Sequence, residues 1–359
     1  MNPCQCRVST YHEFIAVDNN TVLITGGAGY IGSHTVRTMA SRGYRIVVLD
    51  NLVYGHAESI ISPGVDLVIG NVGDPDILQR LFGEHAIGAV IHFAAYAYVG
   101  ESVANPSNYY NNNLCAPIVL LDAMREHGCD QFVLSSTCAT YGNPNYLPID
   151  EYHPQKPINP YGCSKFFLER VLDDYDQAYG IRSAKLRYFN ACGASEDGLI
   201  GEDHDPETHL IPNVLMSIAG ERDSVTVYGT DYDTPDGTCI RDYIHVVDLA
   251  EAHVGALQHL QEGSPSFACN LGTGKGVSVR QIIEIAEEVT GRRVPVKFGD
   301  RRPGDPAELV ANPGRAGDIM GWHANFTDVR DSIRAAWQWM SQPHGGRYNA
   351  RIAMEGGRS

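Results

Sequence analysis

The stretch Thr21-Val22-Leu23-Ile24-Thr25, running into Gly26-Gly27-Ala28-Gly29-Tyr30-Ile31-Gly32, decides the fold of this chain. A short, apolar, β-branched run suits a buried strand. Glycines at its end allow a tight turn and a close approach of backbone to a ligand. Helical spacing of Ile31, Val36, Met39 and Ala40 follows to about Arg42, and Arg45-Ile46-Val47-Val48-Leu49 forms a second strand that closes on Asp50. Strand, glycine turn, helix, strand and terminal acid are the context that a dinucleotide-binding fingerprint requires. The pyrophosphate is expected at the positive N-terminus of the helix. Asp50 would accept hydrogen bonds from adenosine ribose hydroxyls and repel a 2′-phosphate, which favours NAD over NADP.

The alternation continues outward from that turn. Residues 66–69 read as a strand ending at Gly70-Asn71-Val72, and 89–93 as another ending at Ala94-Ala95. A long helix is predicted over 107–127, with Tyr110, Leu114, Ile118, Leu121 and Met124 at helical intervals. Strand 130–134 delivers Ser135-Ser136-Thr137, and strand 183–187 leads into Tyr188-Phe189-Asn190. The fold class is therefore α/β, a Rossmann-type doubly wound parallel sheet. Ligands of such sheets bind outside the carboxyl ends of the strands. That rule sets the glycine turn, Asp50, Asn71, Phe93, Ala94 and Thr137 along one edge.

Residues 21–190 are the expected dinucleotide-binding domain. From 191 to 342 the pattern loosens into glycine-, proline- and aspartate-rich sequence, read as a smaller, interleaved substrate-binding lobe. Some of it, about 236–275, is expected to return to the main domain, with a late strand at 267–271. A helix over 278–290 has Ser278 at its start and Gly291 at its end, as capping predicts, and a last helix spans 328–340. The extension 1–20 and the tail 343–359 are expected to be flexible. No internal repeat is apparent.

Tyr161-Gly162-Cys163-Ser164-Lys165 follows Asn159-Pro160 and opens a helix that runs to about Tyr179, where Gly180 stops it. A tyrosine and a lysine four apart share one helix face. A phenol with its ordinary pKa near ~10 is a poor base at neutral pH, and a lysine charge beside it favours the phenolate. Tyr161 is thus expected to move a proton while a cofactor takes a hydride from the same carbon.

Of 359 residues, 43% are hydrophobic and 19% charged, an ordinary soluble composition, and the chain is long enough to bury a large core. No apolar run reaches the roughly 18 residues of a membrane span, and residues 1–20 lack the basic start and apolar core of a secretory signal. A net charge of −16 without a basic patch argues against nucleic acid. The nine cysteines (4, 6, 115, 129, 138, 163, 192, 239, 269) are odd in number and scattered, the pattern of free thiols in a reducing cytoplasm. Cys4 and Cys6 have no second ligand pair nearby, so no metal site is expected.

With these residues in place the chain resembles the extended short-chain dehydrogenase/reductase family, within its nucleotide-sugar epimerase branch, over residues 21 to 342. The motifs are TGGAGYIGSH (25–34), HFAAYAYVGES (92–102), SSTCATYG (135–142), PYGCSK (160–165), RYFNACGA (187–194), DGTCIRDYIHVVDLA (236–250) and RRPGDP (301–306). The resemblance implies that Gly26, Gly29 and Gly32 hold the pyrophosphate, with Tyr30 and Ile31 in the same turn, and that Asp50 and Asn51 hold the adenosine ribose. It further implies that Asn71, Val72, Phe93, Ala94 and Asn112 line the cofactor, with Phe189 near the nicotinamide. Tyr161 matches the catalytic base and Lys165 the lysine that holds nicotinamide ribose hydroxyls. Thr137 stands in place of a serine and keeps a hydroxyl near the reacting oxygen. Asn190, His209, Leu210, Tyr228, Arg241, Arg302 and Asp305 match sugar-nucleotide positions; arginine's planar fork suits diphosphate oxygens.

What the resemblance implies is a UDP-sugar substrate, a tightly held NAD recycled within each turnover, inversion at C4 through a transient 4-keto sugar, and a homodimer through the helices near 107–127 and 161–179. UDP-glucose and UDP-galactose come first, with UDP-xylose/UDP-arabinose or UDP-N-acetylhexosamines as alternatives. Ala97 stands where some relatives carry a lysine near the cofactor, and Leu309 where a tyrosine restricts N-acetylated sugars. Cys138 beside Thr137 is read as core packing rather than as a catalytic thiol. Dehydratase and decarboxylase chemistry would need an acid beside Thr137, where Cys138 and Ala139 stand instead. A non-catalytic NAD-binding protein would typically have lost Tyr161 or Lys165. Net oxidation with free cofactor exchange is the remaining enzymatic alternative.

Overall fold

The computed structural model describes residues 18–302 and 304–348. The chain opens on β1 (Asp18–Thr25), followed by α1 (Tyr30–Ser41), β2 (Arg45–Asp50), β3 (Asp66–Ile69), α2 (Pro75–Glu84) and β4 (Ile87–His92). Next come α3 (Val99–Ala104), α4 (Pro106–Tyr110), a π-helical turn at Asn111–Cys115, α5 (Ala116–Glu126), β5 (Gln131–Thr137), α6 (Pro160–Tyr179) and β6 (Arg182–Tyr188). The second half holds β7 (Asn190–Cys192), α7 (Leu210–Ala219), β8 (Val225–Tyr228), β9 (Ile240–His245), α8 (Val246–Gln261) and β10 (Phe267–Leu271). It ends with β11 (Gly276–Ser278), α9 (Val279–Thr290), β12 (Val296–Gly299), β13 (Glu308–Leu309), α10 (Gly314–Met320) and α11 (Val329–Met340).

Seven of these strands form one parallel sheet in the order β10-β6-β5-β4-β1-β2-β3. The order reverses between β1 and β4, so a doubly wound sheet is present, with its crevice at that switch point. Alternate side chains of each strand face opposite layers. Val22, Ile24, Val48 and Ile91 pack on one face with Leu249 and Leu257 of α8. Leu23, Leu49, Val90 and Phe132 pack on the other with Leu78, Leu121 and Leu168 of α2, α5 and α6.

The predicted helix over 107–127 is not one regular helix. Pro117 has no N–H to give to the carbonyl of residue 113, and the chain accommodates this with the π turn between α4 and α5. The smaller lobe is built round β9, which pairs antiparallel with β11 and parallel with both β13 and β7. Val214, Leu215, Ile282 and Ile333 from α7, α9 and α11 form its core. The stretch 236–275 divides: β9 stays in the small sheet, whereas α8 and β10 join the main body. Ala316 of α10 and the following Trp322 also pack into the main layer. The last connection before α9 carries the expected cap, with Ser278 and Gln281 in a reciprocal capping box and Gly291 left-handed at the far end.

Two expectations about the termini change. Residues 18–20, expected to be flexible, belong to β1; residues 1–17, with Cys4 and Cys6, lie outside the described residues. The stretch after Gln342 does not leave the body at once. Tyr348 is buried against Trp339, its hydroxyl bonds to the Gly201 carbonyl (3.1 Å), and its N–H donates to Asp203 Oδ2 (3.0 Å). Apolar ring area outweighs the local glycine content there; 349–359 lie outside the described residues. Tyr348→Ala is expected to lower stability by roughly 3 kcal/mol, read as a fall in the thermal midpoint. An unchanged midpoint would show that the segment does not pack.

Candidate active site

The glycine turn between β1 and α1 divides its labour. Gly26 adopts φ +71°, and a Cβ there would lie 2.4 Å from the Ala94 nitrogen, so it serves the turn and its contact with the loop after β4. A Cβ on Gly32 would lie 2.2 Å from the Gly26 carbonyl oxygen, so it serves close packing of helix on turn. Gly29 is the one with an open side. It is the N-cap of α1, no side chain caps it, and a Cβ would meet only the Gly26 carbonyl at 3.3 Å. The expected sharing of the pyrophosphate among three glycines thus resolves into one that leaves room and two that shape the turn.

Asp50, at the end of β2, is almost wholly buried and accepts from the Ala28 N–H (3.0 Å) and the Leu52 N–H (2.9 Å). Burial raises its pKa, and those two N–H bonds oppose the rise. A carboxylate has about four acceptor positions, so two remain for ribose hydroxyls. Asn51 and Asn71 are exposed just beyond β2 and β3, their side chains accepting from Val53 and Gly73 N–H groups. Val72 is buried. The Phe93 and Ala94 N–H groups both bond the Thr25 carbonyl, closing the floor of the crevice. Phe93 turns its ring towards His253 of α8, with 4.5 Å between the ring centroids. Asn112 sits in the π turn with its amide on Asn113, and Ala97 is exposed. An uncapped helix N-terminus, an open glycine and an acid with spare acceptor positions fit a dinucleotide.

Tyr161 occupies the first turn of α6, whose N-cap Asn159 accepts from the Gly162 N–H (2.8 Å) and whose Pro160 presets the first helical φ. Gly162 has no side chain because a Cβ would lie 2.5 Å from the Ala139 carbonyl, in the turn that follows Thr137. That close approach sets Tyr161 beside Thr137 at the end of β5. Lys165, one turn on, is buried and donates to the Ser135 carbonyl (2.8 Å). Burial pushes Tyr161 up to about 12, with a hydrogen bond from Thr137 opposing it. Burial likewise pushes Lys165 down to about 7, opposed by the Glu169 carboxylate. The expected lowering of the phenol by the lysine does not emerge; desolvation, which disfavours both charges, is the largest effect on each.

On the other wall, register brings the smaller lobe's candidates together. Asn190 pairs with Tyr243 and Leu309 with Arg241, so β7 and β13 meet β9 at positions two residues apart. The Arg241 guanidinium is 3.7 Å from Asp305 Oδ1, while Asp242 is spent on Thr273, Gly274 and Ala311 N–H groups. Arg302 lies over the Tyr228 ring at 4.0 Å. Phe189 and Leu309 pack with Tyr141, Ile149 and Ala311, and Cys138 joins that apolar cluster, where burial pushes its thiol up to about 12. Leu210 begins α7 and His209 caps it. His209 is not free to face a ligand with both ring nitrogens: Nδ1 lies 2.6 Å from Glu202 Oε1 and 3.2 Å from Glu207 Oε1. Burial disfavours its charge, but those carboxylates outweigh it and push it up to about 10.

Several contributors were not singled out in the sequence. Asn113 ties the loop after β4 to α6, bonding the Tyr96 backbone through both side-chain atoms and Ser164 Oγ (3.2 Å). Tyr109 sets its ring edge-on to Tyr161, with its hydroxyl on the Tyr98 carbonyl. Glu169 continues the Tyr161–Lys165 stripe by another four residues, a spacing that could have marked it. Among the described residues no helix is long and apolar enough to cross a membrane, and the seven described cysteines are free.

Residues 22–272 match the profile of the NAD dependent epimerase/dehydratase family. The UDP-glucose 4-epimerase of Rhizobium meliloti (strain 1021) is 48% identical over 330 residues, covering 92% of this chain and all of that protein. The crystal structure of UDP-glucose 4-epimerase from Brucella ovis in complex with NAD is 51% identical, with a TM-score of 0.87, covering 91% of this chain and 98% of that one. The Bifidobacterium longum enzyme, solved with NAD+ and UDP, is 40% identical with a TM-score of 0.86, covering 91% of this chain and all of that one.

Lys165 has a folded pKa below its unfolded value, so the unfolded chain binds the proton more readily between about 7 and 10.5. The cost of burial is fully present below pH 7 and fades as pH rises towards 10.5. In protein freed of nucleotide, Lys165→Met is expected to raise the thermal midpoint at neutral pH, by an amount that shrinks as pH rises. A pH-independent difference would contradict this placement of the lysine.

Proposed function

We propose that this chain, which belongs to the NAD dependent epimerase/dehydratase family, interconverts UDP-sugars by inverting C4, with UDP-glucose and UDP-galactose as first substrates. The observation that carries this reading is the meeting of Tyr161 and Thr137 at the end of β5, with Lys165 one turn behind. The names of its relatives support the same substrates.

NAD, when bound, would supply the hydride acceptor and donor for C4, and its positive ring would add a charge that favours the phenolate. Tyr161 Oη takes the proton of the 4-hydroxyl and gives it back to the 4-oxygen. Thr137 Oγ1 steadies that oxygen by hydrogen bonding. Lys165 holds the ribose hydroxyls. Gly29 and the first turn of α1 bind the pyrophosphate, and Asp50 the adenosine ribose. Arg241 and Arg302 grip the diphosphate of the sugar nucleotide, with Asn190, Leu210, Tyr228 and Asp305 around it. Inversion would require the sugar to be held more loosely than the diphosphate, so that the 4-keto form can present its other face. Leu309, packed in an apolar cluster with Phe189 and Tyr141, leaves acceptance of N-acetylated sugars open. We also infer a cytoplasmic homodimer, in which exposed Val99, Val103 and Phe167 on α3 and α6 are covered.

Each UDP-sugar (glucose, galactose, their N-acetyl forms, xylose, arabinose) is to be followed by NMR without added cofactor. Interconversion of glucose and galactose forms without lasting NADH is expected; no interconversion by NAD-loaded enzyme refutes the proposal. Tyr161→Phe is expected to lower turnover by on the order of 10²–10⁴-fold while UDP binding by calorimetry stays nearly unchanged. Survival of most activity would remove Tyr161 as the base.

A further inference from the structure

Residues 202–209 read Glu-Asp-His-Asp-Pro-Glu-Thr-His, two Glu-x-His units joined by Asp205-Pro206. In extended backbone, residues two apart face the same side. Glu202 and His204 do so, while Asp203 between them turns away to Arg347 and the Tyr348 N–H. Glu207 and His209 arrive beside them at the start of α7, and one ligating atom from each of the four side chains lies within 4.8 Å of the others.

We propose that Glu202, His204, Glu207 and His209 form a binding site for a divalent cation of the zinc class. Both imidazoles turn the same ring nitrogen, Nδ1, towards both carboxylates. His209 Nδ1 is 2.6 Å from Glu202 Oε1 and 3.2 Å from Glu207 Oε1; His204 Nδ1 is 3.1 Å from Glu202 Oε1 and 3.7 Å from Glu207 Oε2. Tetrahedral zinc, with bonds of roughly 2.0–2.2 Å to nitrogen and oxygen, sets its ligand atoms about 3.4 Å apart. The four separations bracket that value. A chain of ordinary ion pairs needs each imidazole to reach one carboxylate; here each reaches both.

The surroundings agree. The two glutamate side chains are almost wholly buried, so their charge needs a compact counter-charge. One divalent ion carries the same charge as two protons shared between the histidines. Tyr98, whose hydroxyl is buried without a hydrogen-bond partner among the described residues, lies close enough to feel Glu207 and Glu202. Imidazole with carboxylate selects zinc, cobalt or nickel over calcium or magnesium. Four protein ligands make a closed, structural site. It would staple the loop before α7, and with it His209 and Leu210, to Tyr30 and Tyr98, whose rings stand 6.3 and 6.4 Å from that of His204.

The test is a cobalt(II) titration of the full chain after dialysis against a chelator, followed by visible absorption. One equivalent per chain with the intense bands of tetrahedral cobalt, displaced by zinc, is expected. Glu202→Gln and His204→Gln should weaken binding beyond the roughly 10–100-fold that loss of an outer-shell partner costs, with circular dichroism confirming their fold. No tetrahedral bands in the wild type overturns the proposal whatever the variants do. So does a near-ultraviolet sulfur-to-cobalt band, which would place the ion on cysteines, or equal binding by wild type and both folded variants. Epimerase activity is not the readout, so this site and the proposed reaction stand or fall separately.

Discussion

Arg187 and Glu169 meet at 2.6 Å in the interior between β6 and α6, and the geometry of the catalytic end depends on that pair. Burial alone would weaken the guanidinium's hold on its proton, but the carboxylate outweighs it and keeps Arg187 above its ordinary range. The carboxylate's acceptor positions are filled and the guanidinium is bonded through all three nitrogens. Ser136 Oγ (2.5 Å) and Gln155 (3.0 Å) donate to Glu169, and Arg187 reaches the Tyr141 hydroxyl (3.0 Å), which in turn donates to Asn270 (2.7 Å). Removing one member of such a pair costs about 3–5 kcal/mol, because the other is left charged and dry. Tyr161, Lys165 and Glu169 are spaced by four along α6, so the pair holds that whole stripe against the sheet. Strand register does the rest, since Ser136 lies opposite Arg187 and Thr137 opposite Tyr188.

The second wall of the crevice is held by β9. Its first half pairs with β13 and its second with β7, so one strand carries Arg241 and positions both Leu309 and Asn190. Asp242, fully buried, anchors this strand to the loop after β10 through Thr273 and Gly274, and to Ala311 beyond β13. The main sheet and the small sheet are therefore joined at the ligand crevice itself. Candidate substrate positions drawn from three separate stretches of chain thus share one support, β9.

Much of the fold was legible because its signals are local. A glycine turn after a β-branched run, an acid at the next strand's end and a serine-to-glycine helix frame each depend on a few adjacent residues. The less legible features depend on partners far along the chain. The π turn follows from Pro117, a local cue, yet its use is tertiary: it presents Asn113 to Tyr96 and Ser164. Glu169 looks like any exposed helix acid until Arg187 is placed opposite it. The tail after Gln342 has the composition of a mobile end, and Tyr348 overrides that by finding Trp339 and Gly201. His209 matches a sugar-nucleotide position in the sequence, and nothing local to it announces that two glutamates brought round by the 202–209 loop hold its Nδ1.

By itself the sequence determined the parallel α/β alternation, the dinucleotide turn, and the shared face of Tyr161 and Lys165, since helix and strand periods act over one or two turns. Only the tertiary structure decided which glycine stays open, how far the phenol and the ammonium are pushed towards neutrality, and what faces what across β9. Those outcomes depend on burial and on approach between segments distant in the chain, and both are properties of the packed whole.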